Sequence, residues 1–278
     1  MNTVLRTKGK IPLNNRYIEV EKNSETLHSG HLILVNRENP FIPQDIRSSV
    51  VSASDFHFYD NEKIYLEESC SRNLSALIRA CGAEGKLIAV SGLRSEAEQR
   101  AIYHHSLQEN GREFTQKYVA RPMESEHQTG LAVDLSEDTD CVDFIRPSFP
   151  DKGACKAFKS AAASYGFIPR YQKEKEALTG ISEEPWHFRY VGVPHARLMN
   201  RYGFCLEEYI EFIRRFPFDG THLFVKESVE TIEIYFVPAT RNVTMIPLPA
   251  GKRSRISGNN RDGFIVTVFH GRGEGENG

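Results

Sequence analysis

The sequence predicts an α+β fold: a domain of mixed helices and strands, followed by a small all-β appendage. Three observations carry this. Apolar residues recur at helical spacing in Leu74, Leu77, Ile78 and Cys81, and again in Ala157, Phe158, Ala161, Ala162 and Tyr165. Short strand-like runs at 87–90, 131–135 and 186–191 alternate with those stretches. After Pro217 the composition changes to apolar runs separated by Pro-, Gly- and Asn-rich turns.

Taken in order, residues 1–27 are polar without clear periodicity, and a loosely held arm is expected. The apolar run 32–35 reads as a short buried strand, after which Asn39-Pro40 and Ile42-Pro43 impose extended or turn geometry. His28 and His31 at its mouth read as surface polar residues. A helix is expected over 67–81 with Gly82 as its stop. The strand at 87–90 ends in Ser91-Gly92-Leu93-Arg94-Ser95, where Ser95 and Glu98 form a capping box for a helix carrying Gln99 and Tyr103. Arg94 therefore stands at a strand-to-helix junction. The polar stretch 104–124, with Gly111 and Pro122, reads as a loop over the site with one helical turn. Gly130 lets the chain turn sharply into the strand 131–135. Asp138, Asp140 and Asp143 lack the spacing of an EF-hand and read as a solvated turn.

A helix follows over 153–166, then a polar connection, 170–183. In the strand 186–191, His187, Arg189 and Val191 share a face. Helices are expected at 194–202 and 206–216, and strands at 229–237, 243–248 and 264–269, with a turn cluster at 257–263. The resulting division is an arm at 1–27, a mixed main domain at 28–218, a small β subdomain at 219–270 and a tail at 271–278.

The 278 residues carry a formal net charge of −2, with 26% charged and 40% hydrophobic residues. Nothing in that balance points to nucleic acid or an anionic membrane as partner. No window has the apolar length of a transmembrane helix, and no export signal is visible at the N-terminus, although a chain with its leader removed reads the same way. Five scattered cysteines form no Cys-x-x-Cys pair. Free thiols in a reducing compartment, the cytoplasm, are expected.

The chemistry concentrates in Ser125-Glu-His-Gln-Thr-Gly-Leu-Ala-Val-Asp134 and in Glu184-Pro-Trp-His187. His127, Asp134 and His187 are three zinc-type ligands, which leave an open position for water in a catalytic site. Seven residues separate His127 from Asp134, which would oppose them on one continuous strand, so His127 is assigned to the loop before Gly130 and Asp134 to the strand after it. On spacing alone the set reads equally well as a core histidine with two unrelated polar residues. Glu184 adds a carboxylate outside the ligand set, the group that water activation requires as general base, against the alternative of a solvated loop carboxylate beside Glu183. Arg94 would stabilise the oxyanion as a positioned cation, against the alternative of a surface arginine at a helix start.

These motifs, Ser91-Gly92-Leu93-Arg94-Ser95, Ser125-x-His127-x-x-Gly130-x-x-x-Asp134 and Glu184-x-x-His187, resemble the zinc D-Ala-D-Ala peptidase family of VanX, VanY and VanXY types and murein carboxypeptidases. Flanking strings such as 117–120, 143–147 and 180–182, with 232–235 and 256–260, are most similar to the cytoplasmic VanXY type. The resemblance covers about 28–270. It implies zinc at His127, Asp134 and His187, Glu184 as general base and Arg94 as electrophilic stabiliser. It further implies substrate contacts from Ser125 and Gln99, with Trp186 as a pocket wall. Leu93 departs from the tyrosine often found before the arginine, which leaves the zinc chemistry untouched.

The implied fold is a small, mostly antiparallel sheet with helices packed on it and zinc in a cleft. The implied substrate is a small peptide ending in D-Ala-D-Ala, as dipeptide or as peptidoglycan precursor, with a link to glycopeptide resistance. Two rivals stand beside this. One is an exported murein carboxypeptidase whose anchor is missing; the other is a non-catalytic, zinc-containing peptidoglycan-binding module. The β appendage would either brace the catalytic domain or join two copies as a homodimer.

Overall fold

The computed structural model describes residues 4–6, 17–46, 48–50, 55–227 and 230–271. It divides into two compact units, one formed by 35–205 and the other by 1–34 together with 206–278. The division differs from the one read in the sequence, which joined 28–34 and 206–218 to the catalytic domain. Main-chain pairing explains the second segment: Phe236 N–H donates to Phe216 O at 2.8 Å, and Phe218 N–H to Phe236 O at 2.9 Å. The expected tail beyond 271 lies outside the described residues.

Unit 35–205 carries a five-stranded sheet. Its strands are β1 (His57–Phe58), β2 (Leu87–Ser91), β3 (Ala132–Glu137), β4 (Phe167–Tyr171) and β5 (Glu184–Tyr190), in the order β1-β2-β3-β5-β4. Only β1 and β2 pair in parallel; the other neighbours are antiparallel. The long crossover from β2 to β3 is filled by a helix, and α-helices flank the sheet: α1 (Glu68–Ala80), α2 (Glu96–Tyr118) and α3 (Gly153–Ala162).

Alternation along the strands divides the sheet into a core face and a site face. Phe188 packs edge-on against Phe158 of α3 and Phe149, with ring centroids 4.7 and 5.2 Å away. Its neighbours His187 and Arg189 point to the opposite face, as the period of two requires. Val133 and Leu135 are fully buried on the Phe188 side, which leaves Asp134 between them for the site.

Two expectations need correction. Residues 104–118 are helical rather than a loop, because α2 runs on from its capping box, broken only at Gly111 (φ 79°, ψ 174°). The helix has no apolar stripe to betray it. Intrahelical Lys117–Glu113 and Arg100–Glu96 pairs support its exposed face, and a buried hydrogen bond of 2.8 Å joins Ser106 Oγ to Thr115 Oγ1 across the break. The run 32–35 is buried but is not a strand. Leu32 N–H donates to Ser257 Oγ (2.9 Å) and Leu34 N–H to Asn259 O (3.2 Å), so side-chain and turn acceptors replace a ladder.

The other unit is mostly β. One sheet runs Val4–Arg6, Leu223–Lys226, Thr231–Pro238, Gly263–His270, Arg253–Gly258, every neighbour antiparallel. A second pairs Tyr17–Asn23 with Val243–Pro249, so part of the expected arm is a strand. The polar residues of 17–23 hide it, since only a narrow face is covered. The strands at 223–226 and 253–258 were not anticipated. Tyr235, Val237, Ile246, Leu248, Phe264, Val266 and Val268 form the core.

Candidate metal centre and active site

Sheet register brings the candidate residues together. Ser91, Asp134 and His187 stand opposite one another across β2, β3 and β5. His127 arrives from a short 3-10 turn, Glu126–Thr129, which ends at Gly130 in the left-handed region (φ 69°). A Cβ there would meet the Glu67 backbone nitrogen at 3.0 Å, so both conformation and space call for glycine. The chain thus reverses between His127 and Asp134, and both face one point.

The donor atoms are close. Asp134 Oδ2 lies 3.0 Å from His127 Nε2, and Asp134 Oδ1 lies 2.9 Å from His187 Nδ1. Donors on a tetrahedral zinc with bonds near 2.0–2.1 Å are roughly 3.3 Å apart, so the set fits that ion. Among the described residues, this is the His/Cys/Asp/Glu group with ligand atoms mutually within 4.8 Å. His127 Nδ1–H donates to Gly92 O at 2.7 Å, which turns the Nε2 lone pair toward Asp134.

Charge also fits a cation. All three side chains are buried. Burial opposes charge on His187, but hydrogen bonds to Asp134 and Glu126 outweigh it and raise its pKa to about 9. His127 moves the other way, to about 4, through burial and then the nearby Arg94. Asp134 is held well below the ordinary carboxylate range because its two histidines outweigh its burial. Without metal His187 therefore carries a second ring proton, which a divalent cation held by the set would displace.

Glu184 begins β5, and its Oε2 is 3.8 Å from His187 Nδ1. Burial, reinforced by Asp134 and Glu126, raises its pKa to about 8 against the pull of His187 and Arg94. Arg94 is clamped on three sides: Nε donates to Ser91 Oγ (2.7 Å), Nη1 to Gln99 Oε1 (3.3 Å) and Nη2 to Asp134 Oδ2 (2.9 Å). Gln99 is buried, and its Nε2 donates to Ala120 O at 2.7 Å. Both ends of that amide are thus engaged within the protein.

One cavity is lined by Arg94, Gln99, Ser125, His127, Asp134, Glu184, Trp186 and His187, so every residue assigned to the site from the sequence borders it. Tyr118, Phe144, Ile145 and Ile181 add apolar walls that sequence reading did not assign. Phe144 also lies beneath the Arg94 guanidinium, 5.7 Å from ring centroid to Cζ. The sequence reading gives no role to Glu126, which is buried against His187, or to Arg170 and Arg189, which are buried against Glu126. The available signal was positional: Glu126 adjoins His127, and Arg189 shares the face of His187.

Residues 63–193 match the family VanY, D-alanyl-D-alanine carboxypeptidase. The bifunctional D-Ala-D-Ala dipeptidase and D-Ala-D-Ala carboxypeptidase VanXYC of Enterococcus gallinarum is 38% identical over 183 residues, covering 66% of this chain and 94% of the relative. The crystal structure of the vancomycin resistance D,D-dipeptidase VanXYg, in complex with a D-Ala-D-Ala phosphinate analog, superposes with a TM-score of 0.86 at 42% identity. That match spans 92% of this chain and 100% of the other. A mutant of the D,D-pentapeptidase VanY from a VanB-type resistance cassette, in complex with Zn(II), gives 0.52 at 32% identity over 65% of this chain and 98% of that one. With the motifs and the register of the site, these likenesses make the chain a member of the VanY family of D-alanyl-D-alanine carboxypeptidases.

Proposed function

We propose that this chain is a zinc metallopeptidase that hydrolyses D-Ala-D-Ala and releases C-terminal D-Ala from peptidoglycan precursors. The observation that carries the reading is a His–Asp–His donor set sharing one cavity with a carboxylate, Glu184, that is not part of the set. His127, Asp134 and His187 would hold the zinc, which would supply Lewis-acid polarisation of the scissile carbonyl and a water nucleophile at neutral pH. Glu184 accepts the proton of that water and passes it to the leaving amine. Its pKa of about 8 belongs to the metal-free site; a cation alongside lowers it and leaves the carboxylate ready as base.

Arg94 places its charge where the attacked carbonyl oxygen becomes anionic. Ser91, Gln99 and Asp134 hold it there before substrate arrives, so little ordering is left for the reaction itself. Ser125 and Trp186 serve as a polar contact and a wall for the dipeptide end, and Gln99 braces Arg94 and Ala120 on the same side. The presence of Glu184 and Arg94 favours an enzyme over a non-catalytic binding module.

Among the described residues, no helix is long and apolar enough to cross a membrane. Five scattered cysteines with no Cys-x-x-Cys pair support a cytoplasmic setting, where dipeptide and nucleotide-linked precursor are the accessible substrates. Destruction of D-Ala-D-Ala termini is the chemistry that connects this reading to vancomycin resistance. The test is D-alanine release from D-Ala-D-Ala and from a pentapeptide precursor, with and without chelator. Release abolished by chelator and restored by zinc is expected, and release that persists in chelator overturns the reading.

A further inference from the structure

The two candidate histidine ligands are braced differently on their outer sides. His127 rests on a backbone carbonyl, that of Gly92. The outer nitrogen of His187, Nε2, faces Glu126 Oε2 at 3.5 Å, and both atoms are buried with no hydrogen bond to any of the described residues. Glu126 is itself pinned: Arg170 Nε and Arg189 Nη1 both donate to its Oε1 at 2.8 Å. Both arginines are fully buried. Two guanidinium groups thus occupy one carboxylate oxygen and aim the other at the imidazole.

We propose that Glu126 is the positioning residue for His187: its Oε2 accepts the Nε2–H, which fixes the tautomer that presents the Nδ1 lone pair to the metal. The proposal rests on the zinc reading above. Two independent features of the geometry support it. Nδ1 is the nitrogen turned toward Asp134, at 2.9 Å, and toward Glu184, at 3.8 Å. A neutral imidazole that coordinates through Nδ1 carries its proton on Nε2, and that donor needs an acceptor when buried. Glu126 Oε2 is the buried acceptor placed there. Arg189, two residues after His187 on β5, and Arg170 on β4 tie the brace to the same strands that carry the ligand.

The test measures metal rather than turnover. Zinc affinity of purified Glu126→Gln, by competition with a chromophoric chelator, is expected to fall by about 10–100-fold, the usual cost of losing an outer-sphere partner. Circular dichroism and thermal melting accompany it, because a role confined to burying the two arginines would lower the melting temperature and leave the zinc affinity of the folded protein unchanged. A second arm uses the unaltered chain and does not depend on a variant folding. Long-range proton–nitrogen NMR of the histidine-labelled, zinc-loaded protein should show His187 protonated at Nε2 and coordinated through Nδ1. Coordination through Nε2, or unchanged affinity in folded Glu126→Gln, overturns this inference while leaving the peptidase reading intact. Failure of the unaltered chain to bind zinc overturns both.

Discussion

Each unit buries a carboxylate between two histidines on a mainly antiparallel sheet, and only one of the two clusters looks like a metal centre. In unit 35–205 the trio is His127, Asp134 and His187. In the other unit, Glu233 accepts from His222 Nδ1 at 2.5 Å and from His270 Nε2 at 2.8 Å, and His222 Nε2–H donates to Phe218 O at 2.7 Å. Residue types, burial and even the backbone carbonyl behind one ring are alike. The surroundings differ. His222 is stacked on Tyr235, with centroids 4.6 Å apart and planes at 25°, and sits beside Phe218. The first trio borders a cavity with Arg94 and a further carboxylate, Glu184. A His–carboxylate–His set is therefore a structural motif by default. It becomes a candidate for chemistry when a cavity and an uncommitted acid adjoin it.

The contrast is broken most directly by cutting each cluster in turn. His187→Ala should eliminate stoichiometric zinc and, with it, D-alanine release. His222→Ala should keep zinc and turnover in whatever fraction folds, yet lose stability on the order of 3 kcal/mol, because Glu233 is left buried without one partner. Metal analysis and denaturant melts distinguish the two, and equal zinc loss in both would erase the distinction.

Within the active cavity, Glu184→Ala should retain zinc and lose about 10²–10⁴-fold in kcat, the range for a general base. Near-normal turnover in that variant would remove Glu184 from the mechanism. Arg94→Ala should lower kcat by roughly 10²–10³-fold, as for loss of an oxyanion donor; a rise confined to KM would make it a binding residue instead.

The smallest effect sharpens the comparison from the structural side. Glu233 is shifted down to about 2 because His222 and His270 outweigh its burial. An unfolded glutamate titrates near ~4.3. The folded carboxyl thus binds its proton less tightly, and the contribution is full above the unfolded value and lost as pH falls toward about 2. Denaturation of the unaltered chain and of Glu233→Gln between pH 6 and pH 2 should converge toward the acid end. A difference that stays constant across that range would show that Glu233 does not act through its charge.

Much of unit 35–205 is legible in the sequence, and the departures have physical causes. The capping box at Ser95–Glu98, the turn at Gly130 and the strands around Asp134 and His187 depend on local rules, and the structure has them where the sequence places them. The rest of α2 is hidden because the residues it buries, Gln99, Ser106 and Thr115, are polar and form no apolar stripe. Residues 32–35 look like a strand because burial and strand pairing leave the same apolar signature; here Ser257, Asn259 and Asn260 supply the partners. Tyr17–Asn23 was invisible as a strand because its partner is more than two hundred residues away.

By itself the sequence determined the donor types, the turn that separates His127 from Asp134, and the spare carboxylate three residues before His187. Those are matters of residue chemistry and local backbone preference, which a chain carries with it. Tertiary structure decided that Asp134 faces His187 in register, which nitrogen each imidazole turns inward, and that Glu126 stands behind one of them under two buried arginines. Cross-strand pairing and buried hydrogen-bond partners set those features, and both come from residues far apart in the chain.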